Sequence, residues 1–275
     1  MAKKSNKKRK RKKKLAEGAD PLKLYQLSVQ CPEVEIDFFT KVFREHRGRR
    51  PLSMREDFCG TAYLATEWVK SHKKRTALGV DLDAPTLAWA RQHVLGKAKP
   101  GVAERVELIE ANVLDVTDPK VDVTCALNFS YCIFKSRDLL KRYFAAAREG
   151  LVEGGIVFCE LYGGTEAIVE LEEEREVDGF TYIWDQAEFN PITRETLCHI
   201  HFAFPDGSRM KRAFTYDWRL WTIPEVRECL VEAGFSHVDV YWDPVEEDDD
   251  ADDGFRLTEK EENQEGWLVY FVAFK

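Results

Sequence analysis

Residues 54–83 of the chain read MREDFCGTAYLATEWVKSHKKRTALGVDLD. Their pattern predicts four consecutive elements: a strand over 52–58, a tight turn at 59–61, a helix over 62–69 and a second strand over 78–80. Two apolar pairs at i, i+4 spacing, Leu64/Ala65 and Trp68/Val69, give the helix one buried face. Asp81 follows the second strand. In an open α/β sheet this order brings a turn, a helix N-terminus and a carboxylate to one crevice, where nucleosides bind.

The turn at 59–61 contains a single glycine, Gly60. A dinucleotide-binding turn carries G-x-G-x-x-G, because bare backbone must approach the pyrophosphate. The turn therefore argues against a dinucleotide. A carboxylate at Asp81 can still accept hydrogen bonds from both hydroxyls of a ribose, so the pattern indicates a different nucleoside cofactor.

Residues 56–62, Glu-Asp-Phe-Cys-Gly-Thr-Ala, resemble the first motif of the class I S-adenosylmethionine-dependent methyltransferases, an acidic residue followed by G-x-G-x-G. Glu56 matches the acidic residue and Gly60 the central glycine, whereas Phe58 and Ala62 stand where the family usually has glycine. The family's other motifs follow in order, and the resemblance covers roughly 32–275. It implies an α/β fold with a seven-stranded, doubly wound sheet, mostly parallel with an antiparallel last strand. It also implies S-adenosyl-L-methionine as the cofactor.

Local patterns place the remaining elements of this layout. Strands are predicted over 105–109, 121–127, 155–161, 237–242 and 267–274, and helices over 136–150 and 222–234. The first of these helices begins at a serine and ends at a glycine, and the second opens with the capping box Thr222-Ile223-Pro224-Glu225.

The resemblance implies that cofactor contacts lie at the turn and at the ends of the strands. The implied residues are Glu56, Phe58, Cys59 and Gly60 in the first motif, Asp81 and Leu82 at the ribose, Asn112 and Val113 at the adenine, and Asn128 after the fourth strand. Two further residues have alternative roles. Arg55 either pairs with Asp57 on the same strand or meets the methionine carboxylate of the cofactor. Tyr25 either covers the cofactor or packs within a helix.

About sixty residues separate the fifth strand from the helix at 222–234, which is more than a strand-to-helix connection needs. Alternating polar and apolar residues over 180–187, 196–204 and 209–218 predict an antiparallel β-meander inserted at 178–221. In related small-molecule methyltransferases such an insertion covers the active site. The insertion and the loops below it supply the candidate substrate residues: Tyr131, Glu160, Tyr162, Trp218 and Arg219.

Tyr131 and His201 are the candidate catalytic residues. Tyr131 closes the segment 128–131, Asn-Phe-Ser-Tyr, which matches only the ends of the N-P-P-Y motif of enzymes that methylate planar amino groups. The missing prolines favour a small-molecule N or O acceptor over a base or a glutamine. His201, two residues after His199, is a candidate general base. The pair has a spacing that could bind metal, but no third ligand is spaced to join it, so no metal is predicted.

The composition favours one compact intracellular enzyme. The chain has 275 residues, 44% of them hydrophobic, and seven cysteines without a C-x-x-C pair, which indicates reduced thiols in the cytoplasm. No apolar run has membrane-spanning length, so no membrane partner is expected. We expect a disordered basic tail at 1–20 followed by a methyltransferase domain over 21–275.

Two charged runs leave the class of partner open. Residues 3–14 contain ten lysines and arginines, and residues 246–253 contain seven acidic residues, in a chain of net charge −8. The tail could direct the chain to nucleic acid. Without it the rest carries about −18, which repels phosphate, so a solubilising role is favoured. Three functions follow: a small-molecule methyltransferase, which is preferred, a nucleic-acid or protein methyltransferase that uses the tail, and a non-catalytic methyltransferase-like binding protein.

Overall fold

The computed structural model describes residues 13–243 and 254–275, so most of the basic tail and the acidic run at 246–253 lie outside the described residues. The helices are α1 (Pro21–Val29), α2 (Pro32–Arg47), α3 (Tyr63–Ser71), α4 (Ala84–His93), α5 (Pro100–Ala103), α6 (Arg137–Glu149) and α7 (Ile223–Glu232). The strands are β1 (Ser53–Asp57), β2 (Thr76–Asp81), β3 (Val106–Glu110), β4 (Val121–Ala126), β5 (Leu151–Gly163), β6 (Leu171–Val177), β7 (Phe180–Phe189), β8 (Glu195–Ala203), β9 (Arg209–Arg219), β10 (His237–Trp242), β11 (Arg256–Leu257) and β12 (Trp267–Phe274). Within these ranges no helix combines the length and the apolar character needed to cross a membrane.

Eight strands form the larger sheet, in the order β11-β10-β12-β5-β4-β1-β2-β3. Strands β1 to β5 are parallel to their neighbours within this group, and β12 is antiparallel to both β5 and β10. The predicted α/β sheet, mostly parallel with an antiparallel last strand, is therefore confirmed. The eighth strand, β11, was not predicted, because it has only two residues and pairs with β10 at the edge.

The two helices predicted from capping signals form in the structure. At the start of α6 the Ser136 hydroxyl accepts a hydrogen bond from the Leu139 N–H at 3.3 Å. At the start of α7 the Thr222 hydroxyl accepts one from the Glu225 N–H at 3.4 Å, and the Glu225 carboxylate accepts one from the Thr222 N–H at 2.9 Å. These bonds, which are reciprocal in α7, satisfy backbone donors that have no partner inside the helix, and so they fix where each helix begins.

Apolar side chains cover both faces of the larger sheet, as a doubly wound fold requires. On one face Phe39 of α2 and Trp68 of α3 pack in a cluster with residues of β1, β4 and β5. On the other face Phe144 of α6 and Leu230 of α7 belong to a second cluster. With both faces covered by helices, the carboxyl ends of the parallel strands are the place where a ligand crevice forms.

The insertion forms a separate antiparallel sheet of four strands, in the order β6-β7-β8-β9. The three predicted strands correspond to β7, β8 and β9, but β6 was missed. Its sequence, LEEEREV, has four glutamates in seven residues and lacks the alternation of a half-buried strand. The charges instead suit an exposed edge strand, because they oppose pairing with another chain.

Candidate cofactor and acceptor site

A cavity of about 330 Å³ opens at the carboxyl ends of β1, β2 and β4, in the size range of small-molecule sites. Five parts of the chain line it. Four of them are α1 and its end (Leu22, Tyr25, Gln30), the segment 56–61, the start of α4 with the residues before it (Asp81, Asp83, Thr86), and the loop after β4 (Leu127, Asn128, Ser130, Ile133). Strand β9 adds Phe214, Tyr216 and Trp218. The cavity therefore lies between the larger sheet and the insertion.

The turn after β1 contains three residues with positive φ angles: Phe58 at 58°, Gly60 at 49° and Ala62 at 53°. Glycine adopts this left-handed region freely, whereas other residues rarely do. Phe58 and Ala62 are the positions where the resembled family has glycine, so this turn keeps a glycine-like conformation without glycine. The Phe58 ring packs against Phe134 and Tyr143, with ring centroids 5.9 and 5.7 Å apart, which helps to hold the turn.

Asp81 faces this turn from the end of β2. Its Oδ2 accepts a hydrogen bond from the Gly60 N–H at 2.7 Å, and its Oδ1 accepts one from the Asp83 N–H at 2.9 Å. The two backbone donors fix the carboxylate at the cavity wall, and each oxygen keeps a lone pair. The geometry leaves acceptors available for the two hydroxyls of a ribose.

The cavity is acidic. Glu56, Asp57, Asp81 and Asp83 line it, and none of its described lining residues is a lysine, an arginine or a histidine. Glu56 is buried, and its Oε2 accepts a hydrogen bond from the Ala65 N–H at 2.9 Å. Burial raises the pKa of Glu56 to about 8, with help from the neighbouring carboxylates and against the effect of the Ala65 hydrogen bond. A site of this kind favours positively charged ligands.

Arg55 lies outside the cavity, on the side of β1 that faces α6. It is 1% exposed, and its Nε and Nη2 atoms each lie 2.9 Å from an oxygen of Asp57. Its Nη1 donates to the carbonyl oxygen of Val116, and the Tyr143 hydroxyl donates to Asp57 at 3.0 Å. Of the two roles considered for Arg55, the structure shows the ion pair. The guanidinium is not positioned to meet the methionine carboxylate of a cofactor.

Three of the implied cofactor residues do not line the cavity. Leu82 is 64% exposed, and Val113 is buried in the core. The Asn112 Oδ1 accepts a hydrogen bond from the Leu114 N–H at 3.0 Å, in an Asx turn that occupies the oxygen expected to read an adenine amino group. The adenine contacts of Asn112 and Val113 remain predictions.

The cavity also contains residues that the sequence interpretation missed. Thr61 and Thr86 line it, as does Asp83, whose Oδ2 accepts a hydrogen bond from the Thr86 N–H at 3.1 Å and caps α4. An aspartate shortly after a strand, followed by a proline in the first turn, is a helix-start signal that could have identified this segment. Gln30 reaches the cavity from the end of α1, and nothing in the sequence distinguishes it from a surface glutamine.

Aromatic side chains of α1 and β9 cover one side of the cavity. The rings of Tyr25 and Phe214 have centroids 5.0 Å apart, and Tyr25 is hydrogen-bonded to Tyr216. Trp218 stacks on Tyr216 with a centroid distance of 4.4 Å. Tyr25 and Trp218 therefore lie beside the crevice, where cofactor and acceptor contacts were predicted for them. The contacts themselves remain predictions.

The loop after β4 is anchored by a buried carboxylate. Asn128 and Ser130 line the cavity, whereas Glu160, on the neighbouring strand β5, does not. Glu160 accepts hydrogen bonds from the N–H groups of Asn128 and Phe129 and from the Tyr270 hydroxyl. Burial raises the pKa of Glu160 to about 7, although these hydrogen bonds lower it. The structure thus connects Glu160 to the site through the loop, and the direct substrate contact stays a prediction.

The other three candidate substrate residues also do not line the cavity. Tyr131 is fully buried in the core beneath α6, because a short 3₁₀ turn carries its side chain inward. Tyr162 packs against Phe129, with ring centroids 4.7 Å apart. Arg219 donates to the Glu225 carboxylate at 2.7 Å. The structure gives Tyr131 a packing position in place of the catalytic position that the sequence suggested.

The variant Tyr131→Phe is expected to raise the free energy of unfolding by about 1 kcal/mol. The Tyr131 hydroxyl is buried with no hydrogen-bond partner among the described residues, so its removal relieves a desolvation penalty. Urea denaturation measures the change. The matched control is Tyr143→Phe, which removes a hydroxyl that donates to Asp57 at 3.0 Å and should destabilise the fold. A clear loss of stability in Tyr131→Phe would show that its hydroxyl has a partner.

His201 lies on the face of the insertion that is turned away from the cavity. Side chains alternate along a strand, and its neighbours Ile200 and Phe202 belong to the cluster that packs on α1. The His201 Nε2 is 3.0 Å from the Asp185 Oδ2, and its Nδ1 accepts a hydrogen bond from the Arg212 N–H at 2.6 Å. The role of general base predicted for His201 has no support from this position.

One of the two histidines, His201, lies beside two carboxylates. Donor atoms of Glu172, Asp185 and His201 all lie within 4.8 Å of one another. Because Arg212 donates to Nδ1 of His201, the ring proton belongs on Nε2, where it is donated to Asp185. This tautomer leaves no lone pair on Nε2 for a metal. The hydrogen bonds account for the positions of Asp185 and His201, and Glu172 lies directly opposite Asp185 in the pairing of β6 with β7.

Comparison with known proteins concerns structure, since no protein-family model matches the sequence and no curated protein sequence is significantly similar to it. An S-adenosylmethionine-dependent methyltransferase from Clostridium acetobutylicum is 17% identical and has a TM-score of 0.67, over 92% of this chain and 96% of that one. A sugar N-methyltransferase from Streptoalloteichus is 17% identical with a TM-score of 0.63, over 100% and 98% of the two chains. A structure of an amino pentose methyltransferase from Micromonospora echinaspora with S-adenosylmethionine bound is 15% identical with a TM-score of 0.64, over 92% and 94%.

These similarities extend over nearly the whole of each chain, so they include the insertion as well as the larger sheet. Together with the strand order and the antiparallel β12, they confirm the resemblance that was stated from the motifs at 56–62. The chain has the fold of the class I S-adenosylmethionine-dependent methyltransferases.

Proposed function

We propose that the chain is an S-adenosylmethionine-dependent methyltransferase that acts on a small molecule, and that an amine is the acceptor that suits the site best. The observation that carries the proposal is the cavity at the carboxyl ends of the parallel strands. It is acidic, and aromatic rings cover one side of it. Solved structures of the same fold that include sugar and amino pentose methyltransferases support the small-molecule class.

Two features of the cavity fit the proposed cofactor. The carboxylate of Asp81 has lone pairs free for both ribose hydroxyls. At Gly60 no atom lies within 4 Å of the position that a Cβ would occupy, so the cofactor can approach bare backbone there. When bound, S-adenosylmethionine supplies a methyl group that its sulfonium already activates. The protein then has to align the acceptor with that methyl and exclude water, which the aromatic side chains of α1 and β9 do.

The charge of the cavity favours an amine over an anionic acceptor. Asp81 and Asp83 have no ion pair with a basic side chain among the described residues and attract an ammonium group, and the rings of Tyr216 and Trp218 can add cation–π attraction. An ammonium must lose a proton before its nitrogen can attack. Glu56, whose pKa is about 8, can accept that proton only in its ionised form, so proton transfer to Glu56 is expected to increase as the pH rises toward 8.

The same charge disfavours a phosphate-rich acceptor, which the acidic lining would repel. We therefore retain the solubilising role of the basic tail as part of the proposal. The cytoplasmic location, the tail boundary at residue 20 and the insertion boundaries at 178 and 221 likewise remain proposals from the sequence.

The proposal is tested in two steps with the full chain. Calorimetry with S-adenosylhomocysteine measures cofactor binding, and S-adenosylmethionine with a labelled methyl group is then offered with small amines including amino sugars, with phenols and carboxylic acids, or with RNA. We expect cofactor binding and label on amines. Binding without transfer to any acceptor would favour a non-catalytic binding protein. Label on RNA that is lost when residues 1–14 are deleted would favour the nucleic-acid alternative, and absence of cofactor binding would overturn the proposal.

The free protein is expected to lose stability as the pH rises from about 5.5 to about 8.5. Burial raises the pKa of Glu35 and Glu56 to about 8 and that of Glu160 to about 7, from an ordinary value of 4.5. The folded chain holds these protons more tightly than the unfolded chain does. Their contribution is therefore complete below about pH 4.5 and is lost as the pH rises through 7 and 8.

Thermal unfolding across this range checks the expectation. Glu56→Gln should reduce the dependence of stability on pH, because the amide cannot titrate. The control Glu107→Gln, at an exposed position on β3, should leave it as in the wild type. Equal slopes in all three proteins would contradict the prediction.

A further inference from the structure

The loop after β4 contains two consecutive left-handed residues that are not glycine, Asn128 with φ of 52° and Phe129 with φ of 56°. Such angles are unfavourable for residues that carry a Cβ, and they persist only when surrounding contacts hold them. Asn128 lines the cavity, whereas the Phe129 ring packs on Tyr162. The direction in which Asn128 points therefore depends on whatever holds this loop.

A buried carboxylate binds the backbone of both residues. Glu160 lies on β5 directly opposite Tyr270 of β12 and is 6% exposed. It accepts hydrogen bonds from the Asn128 N–H, the Phe129 N–H and the Tyr270 hydroxyl. An ionised carboxylate only accepts hydrogen bonds and can take all three donors, whereas a protonated one has an O–H in place of one acceptor. The conformation of the loop is therefore coupled to the ionisation of Glu160.

We propose that Glu160 is a positioning residue: its ionised carboxylate holds the Asn128–Phe129 turn in the left-handed conformation that presents Asn128 to the methyl acceptor, and protonation of Glu160 releases the turn. The role of Asn128 toward an acceptor rests on the proposed function. The hold on the turn does not, because it can be measured without any acceptor.

The surroundings of Glu160 set the pH at which the turn is released. Titratable groups face it from α1 (Tyr25), α2 (Glu35), β4 (Cys125), the loop before α6 (Tyr131, Cys132), β5 itself (Cys159), the end of β10 (Asp243) and β12 (Tyr270). Burial and the neighbouring acids disfavour the ionised form, the three hydrogen bonds favour it, and the pKa of Glu160 is about 7. The turn is expected to be held above this pH and released below it.

The Asn128 amide proton reports the hold directly. The chain has five asparagines, so ¹⁵N-asparagine labelling gives few backbone signals, and the Asn128 signal is assigned by its absence in Asn128→Gln. We expect this proton to resonate downfield at high pH, where it bonds to a carboxylate, and to move upfield with a midpoint near 7 as the pH falls. In Glu160→Gln the shift should not depend on pH.

Tyr270→Phe is the second variant, and it tests the proposal if Glu160→Gln does not fold. It removes one donor to the ionised carboxylate, so the midpoint should move to higher pH. The control is Tyr241→Phe, on the strand paired with β12 and directly opposite Tyr270, whose midpoint should match the wild type. An Asn128 amide that does not titrate, or one that titrates alike in wild type and Tyr270→Phe, would overturn the proposal.

Turnover measurements test whether the hold of Glu160 on the turn affects catalysis. With an acceptor from the labelling assay, Glu160→Gln should lower kcat by about tenfold to a hundredfold through misplacement of Asn128, while S-adenosylhomocysteine affinity stays near wild type. Glu160→Asp should restore part of the loss. Wild-type kcat in Glu160→Gln would overturn the positioning role. If the Asn128 amide titrates but no acceptor is methylated, the hold of Glu160 on the turn is supported and only the proposed function is contradicted.

Discussion

Arg55→Met is expected to lower the free energy of unfolding by about 3–5 kcal/mol. The substitution keeps the volume of the side chain but leaves the Asp57 carboxylate buried without its cation. The Tyr143 hydroxyl, which donates to Asp57 at 3.0 Å, is then its remaining polar side-chain contact among the described residues. Burial already raises the pKa of Asp57 against the effect of Arg55, so the carboxylate cannot stay charged at low cost once the guanidinium is gone. Urea denaturation with m-values measures the loss.

Two further variants show whether the buried charge causes this loss. Arg55→Met combined with Asp57→Asn should recover more than half of it, because no charge is then left unpaired. Lys70→Met breaks the exposed ion pair with Glu67, whose charged atoms are 2.6 Å apart, and should change stability by less than about 1 kcal/mol. A loss in Arg55→Met no larger than that in Lys70→Met would mean that the buried pair is not important for stability.

Asp81→Ala is expected to weaken S-adenosylhomocysteine binding by about 1.5–3 kcal/mol, which is roughly tenfold to 150-fold in affinity. The variant removes the acceptors proposed for the ribose hydroxyls. It also releases the Gly60 N–H, which the carboxylate holds at 2.7 Å, so the turn beside the cofactor loses a support. Calorimetry at constant salt measures the change.

Asp81→Asn separates the two effects. Its amide oxygen can still accept the Gly60 N–H, but the second acceptor for the ribose becomes a donor. We therefore expect an intermediate affinity for Asp81→Asn and wild-type affinity for Asp115→Ala, a control at an exposed aspartate outside the cavity. Unchanged affinity in Asp81→Ala would place the ribose elsewhere.

Elements with a strong local pattern could be predicted from the sequence. The strand, turn, helix and second strand around Gly60 have clear periodicity and turn chemistry, and α7 has a complete capping box. Each of these signals depends on residues that are close together in the sequence, so the predicted elements form in the structure. The position of Asp81 beside the turn followed from the general layout of α/β sheets, which brings the ends of parallel strands together.

The sequence interpretation was less successful where the position of a side chain depends on register or on the rotation of a short turn. Strand β6 exists because it pairs with β7, and its own residues do not show this. His201 faces away from the cavity because of its place in the alternation along β8, and Glu172 of β6 and Asp185 of β7 lie close to it across the sheet. Tyr131 is turned into the core by a single 3₁₀ turn. None of these outcomes can be deduced from residue spacing along the chain.

The turn at 58–62 has a consequence for how such motifs are recognised. Its backbone alternates in handedness, with positive φ at Phe58, Gly60 and Ala62 but not at the two residues between them. A pattern written in amino-acid letters records glycine at these places and scores phenylalanine and alanine as mismatches. A pattern written as the signs of successive φ angles records left-handed backbone at all three positions, whatever side chains they carry. For this chain the φ angles identify the motif better than the residue types do.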